Sequence, residues 1–282
     1  MSKQTIELSK YTAAYTSIGE GVTVILLHGF FGDASTLGSI ASGLSAKYCC
    51  VSLELLGFGD SSKPDLRYLI EHQVEFIQEF VIAKKITEFY LVGYSYGAWA
   101  TAAYAISHQD LAVSIPHLLG IILLAPAGIR DDSFVGRYDY LKPLLLWQTP
   151  LLDLALKVVA PFAKLIGKTK SFDSIYQART AFTTQPAARS FLIDRLNPED
   201  AVDTVEKDID RIETPTLIIA GEVDGTIPLW HSQTYAESIP HARLEIIPGA
   251  DHDLVQTHAQ AVTRSILAHW NTSVKQLSHD NY

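Results

Sequence analysis

The chain has 282 residues, 48% of them apolar and 19% charged, with a mean hydropathy of +0.13. That composition excludes a disordered or low-complexity chain and suits one large domain carrying a substantial insertion. With 22 basic against 31 acidic residues the net charge is −9, which argues against a surface that tracks the phosphates of nucleic acid or anionic lipid. From the start, MSKQTIELSK alternates polar and apolar residues and lacks the apolar stretch of a secretory signal, so a cytoplasmic location is expected. The two cysteines, Cys49 and Cys50, are neighbours in an apolar run and can assemble neither a disulfide framework nor a zinc cluster.

Short runs rich in Val, Ile and Leu recur with helix-length segments between them, the pattern of parallel strands joined by crossover helices. They are Val22 to Leu27, Tyr48 to Leu56, Phe89 to Val92, Leu118 to Leu124, Thr216 to Ala220 and Arg243 to Ile247. Apolar runs of this kind predict an α/β protein with a mostly parallel sheet whose strands are buried on both faces. Most are followed at once by Gly, Pro, Asp or His. In open α/β sheets ligands bind beyond the carboxyl ends of the strands, so those positions are where chemistry is expected.

Between Pro126 and about Pro215 no strand pattern appears. The region 127–212 is therefore predicted to be an inserted helical cap on a core formed by 1–126 and 213–270, with 271–282 a polar, fraying tail. Leu144 to Gly167 is dense in Leu, Val and Ala, but Pro150, Asp153, Lys157, Pro161 and Lys164 interrupt it. A spanning helix needs about 20 largely uncharged apolar residues in succession, so short amphipathic helices are expected rather than stable membrane insertion.

Gly93-Tyr94-Ser95-Tyr96-Gly97 follows the run Phe89 to Val92 and precedes the helix-forming stretch Ala98 to Ile106. A glycine two residues either side of a serine, at a strand-to-helix turn, lets backbones approach closely while the hydroxyl stays exposed in a strained conformation. Gly97, Ala98, Ala100, Ala102 and Ala103 would let the helix lie close to the sheet. A serine is a weak nucleophile without a base and a group to orient that base. Two later strand ends offer them: Gly221-Glu222-Val223-Asp224-Gly225-Thr226-Ile227-Pro228 and Pro248-Gly249-Ala250-Asp251-His252-Asp253. Asp224 competes with Glu222, Asp251 and Asp253 to orient His252. Residues beside the histidine cannot easily reach back to its Nδ1, whereas a separate strand end can, which favours Asp224.

With these motifs the chain resembles the α/β-hydrolase fold family, in its capped, serine-nucleophile form, over roughly residues 20 to 128 and 213 to 270. The resemblance implies Ser95 as nucleophile, His252 as general base and Asp224 as acid. His28-Gly29-Phe30-Phe31-Gly32 matches the place where such enzymes build half of an oxyanion hole, and the resemblance implies the backbone N–H groups of Phe30 and Tyr96 as its donors, with the His28 ring structural. Leu56-Gly57-Phe58-Gly59-Asp60-Ser61 is also similar to the family, although Glu54 and Leu56 replace the usual Asp and Pro, a departure expected to affect loop shape alone. Asp251 stands where a small glycine is usual.

The implied activity is hydrolysis of a carboxylic ester or thioester through an acyl-enzyme, without cofactor or metal. Dehalogenases and epoxide hydrolases of this superfamily use aspartate at the elbow, which Ser95 argues against. The carbon-carbon bond hydrolases often place tryptophan after the histidine, where Asp253 stands. Cofactor-free peroxidases share the Ser, Asp and His set, and a ligand-binding receptor could retain it; these stay open as alternatives. The apolar insertion is expected to roof the site, so the partner is a small, mostly hydrophobic acyl substrate, with Phe31 and Trp147 as candidate binding residues. Nucleic acid is not an expected partner, and the oligomeric state stays open.

Overall fold

The computed structural model describes residues 2–109, 116–132, 154, 158–159, 179–180, 183–194 and 203–279. Among them the expected parallel strands are present: β3 (Thr23–Leu27), β4 (Cys49–Leu53), β5 (Glu88–Tyr94), β6 (His117–Leu124), β7 (Thr216–Gly221) and β8 (Arg243–Ile247). Two more precede them, β1 (Lys3–Glu7) and β2 (Thr12–Ile18), for which no apolar run gave a signal. β1 is an edge strand and almost wholly exposed, so nothing selects apolar residues there. The eight strands form one sheet in the order β1-β2-β4-β3-β5-β6-β7-β8. β1 and β2 run antiparallel to their neighbours, and every pairing from β4 to β8 is parallel.

Helices flank this sheet on both faces. On one, Val24, Leu26, Tyr90, Val92, Ile122, Leu124, Leu217 and Ile219 pack in one buried cluster with α1 (Gly38–Leu44), α6 (Leu254–Thr257) and α7 (Ala259–His279). These strand positions alternate, as side chains on a single face of a strand must. Trp270 of α7 stacks on Tyr90 at 4.3 Å and meets Tyr48 at 4.8 Å. On the other face, Phe80 of α2 (Ile70–Ala83) meets Tyr15 edge-on at 5.3 Å, and Tyr104 of α3 (Tyr96–Gln109) meets Phe89 at 6.0 Å. Ala98, Ala100, Ala102 and Ala105 of α3 are fully buried, consistent with a helix lying close to the sheet. α5 (Leu229–Ser238) packs on β7.

Three boundaries differ from the sequence expectation. β4 stops at Leu53, not Leu56: Glu54 N–H still donates to Ala14 O (2.9 Å), but side chains take the donors after it, Leu55 N–H donating to His28 Nε2 (3.1 Å) and Leu56 N–H to Gln73 Oε1 (3.0 Å). β5 runs on to Tyr94, up to the turn itself. α7 continues through Asn271 to His279, where a fraying tail was expected. Its sequence there contains neither Gly nor Pro, so nothing local stops the helix.

The chain divides into two compact units: Met1–Ser62, Leu69–Arg130 and Asp203–Tyr282 form one, Lys63–Tyr68 and Asp131–Val202 the other. The second contains α4 (Pro186–Asp194), and within it Tyr68 N–H donates to Ser190 Oγ at 3.1 Å. Lys63–Tyr68 carries no sequence signal for that grouping, being remote in sequence from the rest of the unit. Most of the Leu144 to Gly167 stretch lies outside the described residues. Among described helices none is long and apolar enough to cross a membrane.

Candidate active site

Chain direction in the sheet fixes where a site can form. From β3 the chain moves to β4 on one side, then returns to β5 on the other, so β3 and β5 are neighbours whose connections leave in opposite directions. That is a topological switch point, and the loops beyond its carboxyl ends are His28–Gly32 and Gly93–Gly97. Leu27 of β3 pairs with Gly93 of β5, which brings the two loops side by side.

The turn after β5 is as tight as its sequence requires. Ser95 has φ +54°, left-handed backbone that costs an L-residue roughly 1–2 kcal/mol. Its own hydrogen bonds hold it there: Ser95 N–H donates to Leu124 O (2.8 Å), and Ser95 O accepts from Ala98 N (3.0 Å), Trp99 N (3.1 Å) and Ala127 N (3.3 Å). A methyl at Gly93 would meet Gly97 O at 2.2 Å, and one at Gly97 would meet Leu27 O at 2.4 Å, so neither position accepts a side chain. α3 thus begins directly behind Ser95, whose side chain sits at the positive end of the helix dipole.

Ser95, His252 and Asp224 are hydrogen-bonded in series. His252 Nε2 lies 3.0 Å from Ser95 Oγ, and His252 Nδ1 lies 2.8 Å from Asp224 Oδ2. A carboxylate only accepts, so Nδ1 carries the proton and Nε2 is left to accept from the serine hydroxyl. Asp224 Oδ1 is held by the N–H groups of Thr226 and Ile227, both at 2.8 Å. The competing carboxylates are engaged elsewhere. Glu222 Oε2 accepts from Gly249 N at 2.9 Å, Asp251 Oδ1 accepts from Gly225 N and His252 N, and Asp253 Oδ1 lies 3.5 Å from Thr257 Oγ1. Those bonds to Asp251 hold its carboxyl below the ordinary carboxylate range.

Across the switch point, a methyl at Gly29 would come within 3.1 Å of Ser95 Cβ, which places the Gly29-Phe30 peptide beside the serine. The Phe30 and Tyr96 rings are 4.4 Å apart, and Phe58 lies 6.0 Å from Phe30 and 5.9 Å from Tyr96. Phe31 has φ +59° and is 43% exposed. Trp147, the other expected binding residue, lies outside the described residues. The buried His28 ring braces this loop: Nδ1 donates to Gly29 O at 2.7 Å and Nε2 accepts from Leu55 N at 3.1 Å, with burial holding its pKa below the usual imidazole value.

Two features escaped the reading of sequence. Glu54, expected to alter only loop shape, is fully buried, accepts from Asp60 N (2.6 Å) and Ala34 N (3.3 Å), and pairs with Lys3 Nζ at 2.9 Å. Its partner lies on β1, the strand that gave no signal. Tyr94 OH donates to His252 O at 3.0 Å, and no motif marks that variable position of the turn as anything but filler.

Residues 24–264 match the model of the alpha/beta hydrolase family. The chain is similar to a 2-hydroxymuconate semialdehyde hydrolase of Pseudomonas putida, 29% identical over 260 residues, covering 88% of this chain and 86% of that one. It is also similar to a Synechocystis protein named "putative non-heme chloroperoxidase", 26% identical over 262 residues, covering 90% of this chain and 92% of that one. Among solved structures it superposes on an enol-lactonase from Burkholderia xenovorans with a TM-score of 0.72 at 18% identity, covering 95% of this chain and all of the other. With the family model spanning most of its length and the same sheet and turn in place, this chain belongs to the alpha/beta hydrolase family.

Proposed function

We propose that the protein is a serine hydrolase that cleaves a carboxylic ester or thioester of a small, mostly hydrophobic substrate through an acyl-enzyme intermediate. The observation that carries this reading is the unbroken series Ser95 Oγ, His252 Nε2, His252 Nδ1 and Asp224 Oδ2, with the serine on a left-handed turn at a helix N-terminus.

In this reading Ser95 Oγ bonds to the acyl carbon as its proton passes to His252 Nε2. Asp224 stays ionised and stabilises the imidazolium without taking the proton. The backbone N–H groups of Phe30 and Tyr96 hold the oxyanion; one such donor is worth roughly 10²–10³ in rate. The intermediate collapses as the carbon–oxygen or carbon–sulfur bond breaks, and the proton on Nε2 goes to the leaving alkoxide or thiolate. Water then attacks the acyl carbon with Nε2 again as base, releasing the acid and regenerating Ser95. The aromatic side chains of Phe30 and Phe31 offer an apolar wall for the acyl group, backed by the buried Phe58, and no step calls on a metal or cofactor.

A second reading is favoured by the 29% identity to the 2-hydroxymuconate semialdehyde hydrolase: carbon-carbon bond cleavage by the same residues. One experiment separates them. The protein is incubated with p-nitrophenyl acyl esters of increasing chain length, acyl thioesters and a 2-hydroxy-6-oxo-dienoate, and labelled in parallel with a fluorophosphonate. Turnover of the esters and labelling are expected, both lost in Ser95→Ala; turnover of the dienoate alone establishes the second reading. Unchanged ester turnover by Ser95→Ala overturns both.

A further inference from the structure

The bonds that place the His252 side chain are only half of what holds it. Its peptide N–H donates to Asp251 Oδ1 at 2.7 Å, and its carbonyl accepts from Tyr94 OH at 3.0 Å. The oxygen of Asp251 that takes the His252 N–H also takes the N–H of Gly225, at 2.9 Å, on the loop that carries Asp224. Tyr94 belongs to β5, one residue before Ser95, and its ring lies 5.2 Å from the imidazole at 36°. The backbone of His252 is therefore tied at its nitrogen to the acid loop and at its oxygen to the nucleophile strand.

We infer that Asp251 and Tyr94 are positioning residues that clamp the backbone of His252 and so set the distances from its ring to Ser95 and Asp224. This rests on the serine-hydrolase reading for its effect on rate, but the clamp itself is a matter of geometry. Neither group touches the reacting atoms. Asp251 is exposed, so its carboxylate contributes nothing to a core, yet it spends one oxygen on two backbone donors of different loops. Tyr94 is buried, and its phenol needs a partner; that partner is the backbone carbonyl of His252, on the loop after β8.

The remaining ties between the two loops do not replace this clamp. Glu222 Oε2 bonds Gly249 N, and Val223 N bonds Ala250 O, both upstream of the histidine. Those bonds bring the loops together. Asp251 and Tyr94 alone, among the side-chain bonds seen here, act on the His252 peptide groups themselves.

The test uses the full-length protein and three variants, Asp251→Ala, Asp251→Asn and Tyr94→Phe, with two readouts. The first is steady-state turnover of whichever substrate is accepted. The second is the far-downfield proton resonance of His252 Nδ1–H bonded to a carboxylate, assigned by its absence in His252→Ala, which reports the clamp whether or not any substrate turns over. Misplacing a catalytic group by an ångström costs about 10²-fold, so Asp251→Ala is expected to lose on the order of 10–100-fold in kcat with KM nearly unchanged, and its resonance to broaden into exchange with solvent. Asparagine keeps an acceptor oxygen, so Asp251→Asn is expected to retain the resonance and most of kcat. Tyr94→Phe keeps the ring and loses the donor, with a loss in kcat of roughly 10-fold. A sharp resonance and wild-type kcat in both Asp251→Ala and Tyr94→Phe overturn the clamp, as does an Asp251→Asn variant no better than Asp251→Ala. Failure of the wild type to label with a fluorophosphonate overturns the hydrolase reading instead, and leaves the resonance comparison standing.

Discussion

At Ser95 stability and chemistry pull in opposite directions. Left-handed backbone costs a serine roughly 1–2 kcal/mol, whereas glycine pays no steric penalty there but gives up roughly 0.5–1 kcal/mol of chain entropy on folding. The difference favours glycine by up to about 1.5 kcal/mol. Ser95→Gly is therefore expected to unfold at slightly higher denaturant concentration than the wild type, with an unchanged slope, while losing all fluorophosphonate labelling. A lower midpoint would mean that the hydroxyl's bond to His252 outweighs the strain. That Ser95, His252 and Asp224 would come together was legible because each stands in a motif at a strand end. Tyr94 and Glu54 were not, since what they do depends on partners at Lys3 and His252, far away in sequence.

Among the elements, α3 and β3 are joined more closely than any side chain permits. The carbonyls of Leu27 and His28 lie 2.4 and 2.6 Å from where a Cβ on Gly97 would stand, and backbone oxygens at the end of a central strand cannot retreat without breaking the ladder. Overpacking of this kind typically costs 1–3 kcal/mol, and here it would also push the start of α3 away from the loop bearing Phe30. Gly97→Ala is expected to lose about 2 kcal/mol of stability or more and to fall in kcat, whereas Gly38→Ala, which meets nothing within 4 Å, serves as the silent control. Equal melting curves for the two variants would contradict this packing. The parallel strands β3 to β7 were readable because burial on both faces forces largely apolar runs, whereas β8, at the sheet's edge, is half-exposed and carries Arg243 and Glu245. β1 and β2 were not, because an exposed edge strand and its half-buried neighbour are under no such demand, and the continuation of α7 past Asn271 is written in residues that also suit a polar tail.

For the molecule as a whole, acid should reveal how the interior treats histidine. His28 is buried and holds one donor and one acceptor bond only as the neutral ring, and burial also lowers the pKa of His269 on α7. The unfolded chain binds protons to both near 6.5, above the folded values, so the contribution is complete above that pH and is lost as pH falls below it. Two other effects can be separated from this. Asp33, held below its ordinary value of 3.8 with the bonds from Ser35 favouring its charged form, destabilises only in stronger acid. The net charge of −9 shrinks as pH approaches the pI of about 5.5, which relieves self-repulsion and acts in the opposite direction. A decline in melting temperature between about pH 6.5 and 5 is therefore expected chiefly from His28, at a limit of about 1.4 kcal/mol per pH unit, with a smaller share from the half-buried His269. His28→Gln keeps a donor for Gly29 O and an acceptor for Leu55 N without a titrating ring. It is expected to melt lower than the wild type at pH 8 but with a shallower decline toward pH 5, so that the two curves converge in acid. Parallel curves over that range would show that the His28 ring admits its second proton without cost, and that the loop beside Ser95 is not held by a neutral imidazole.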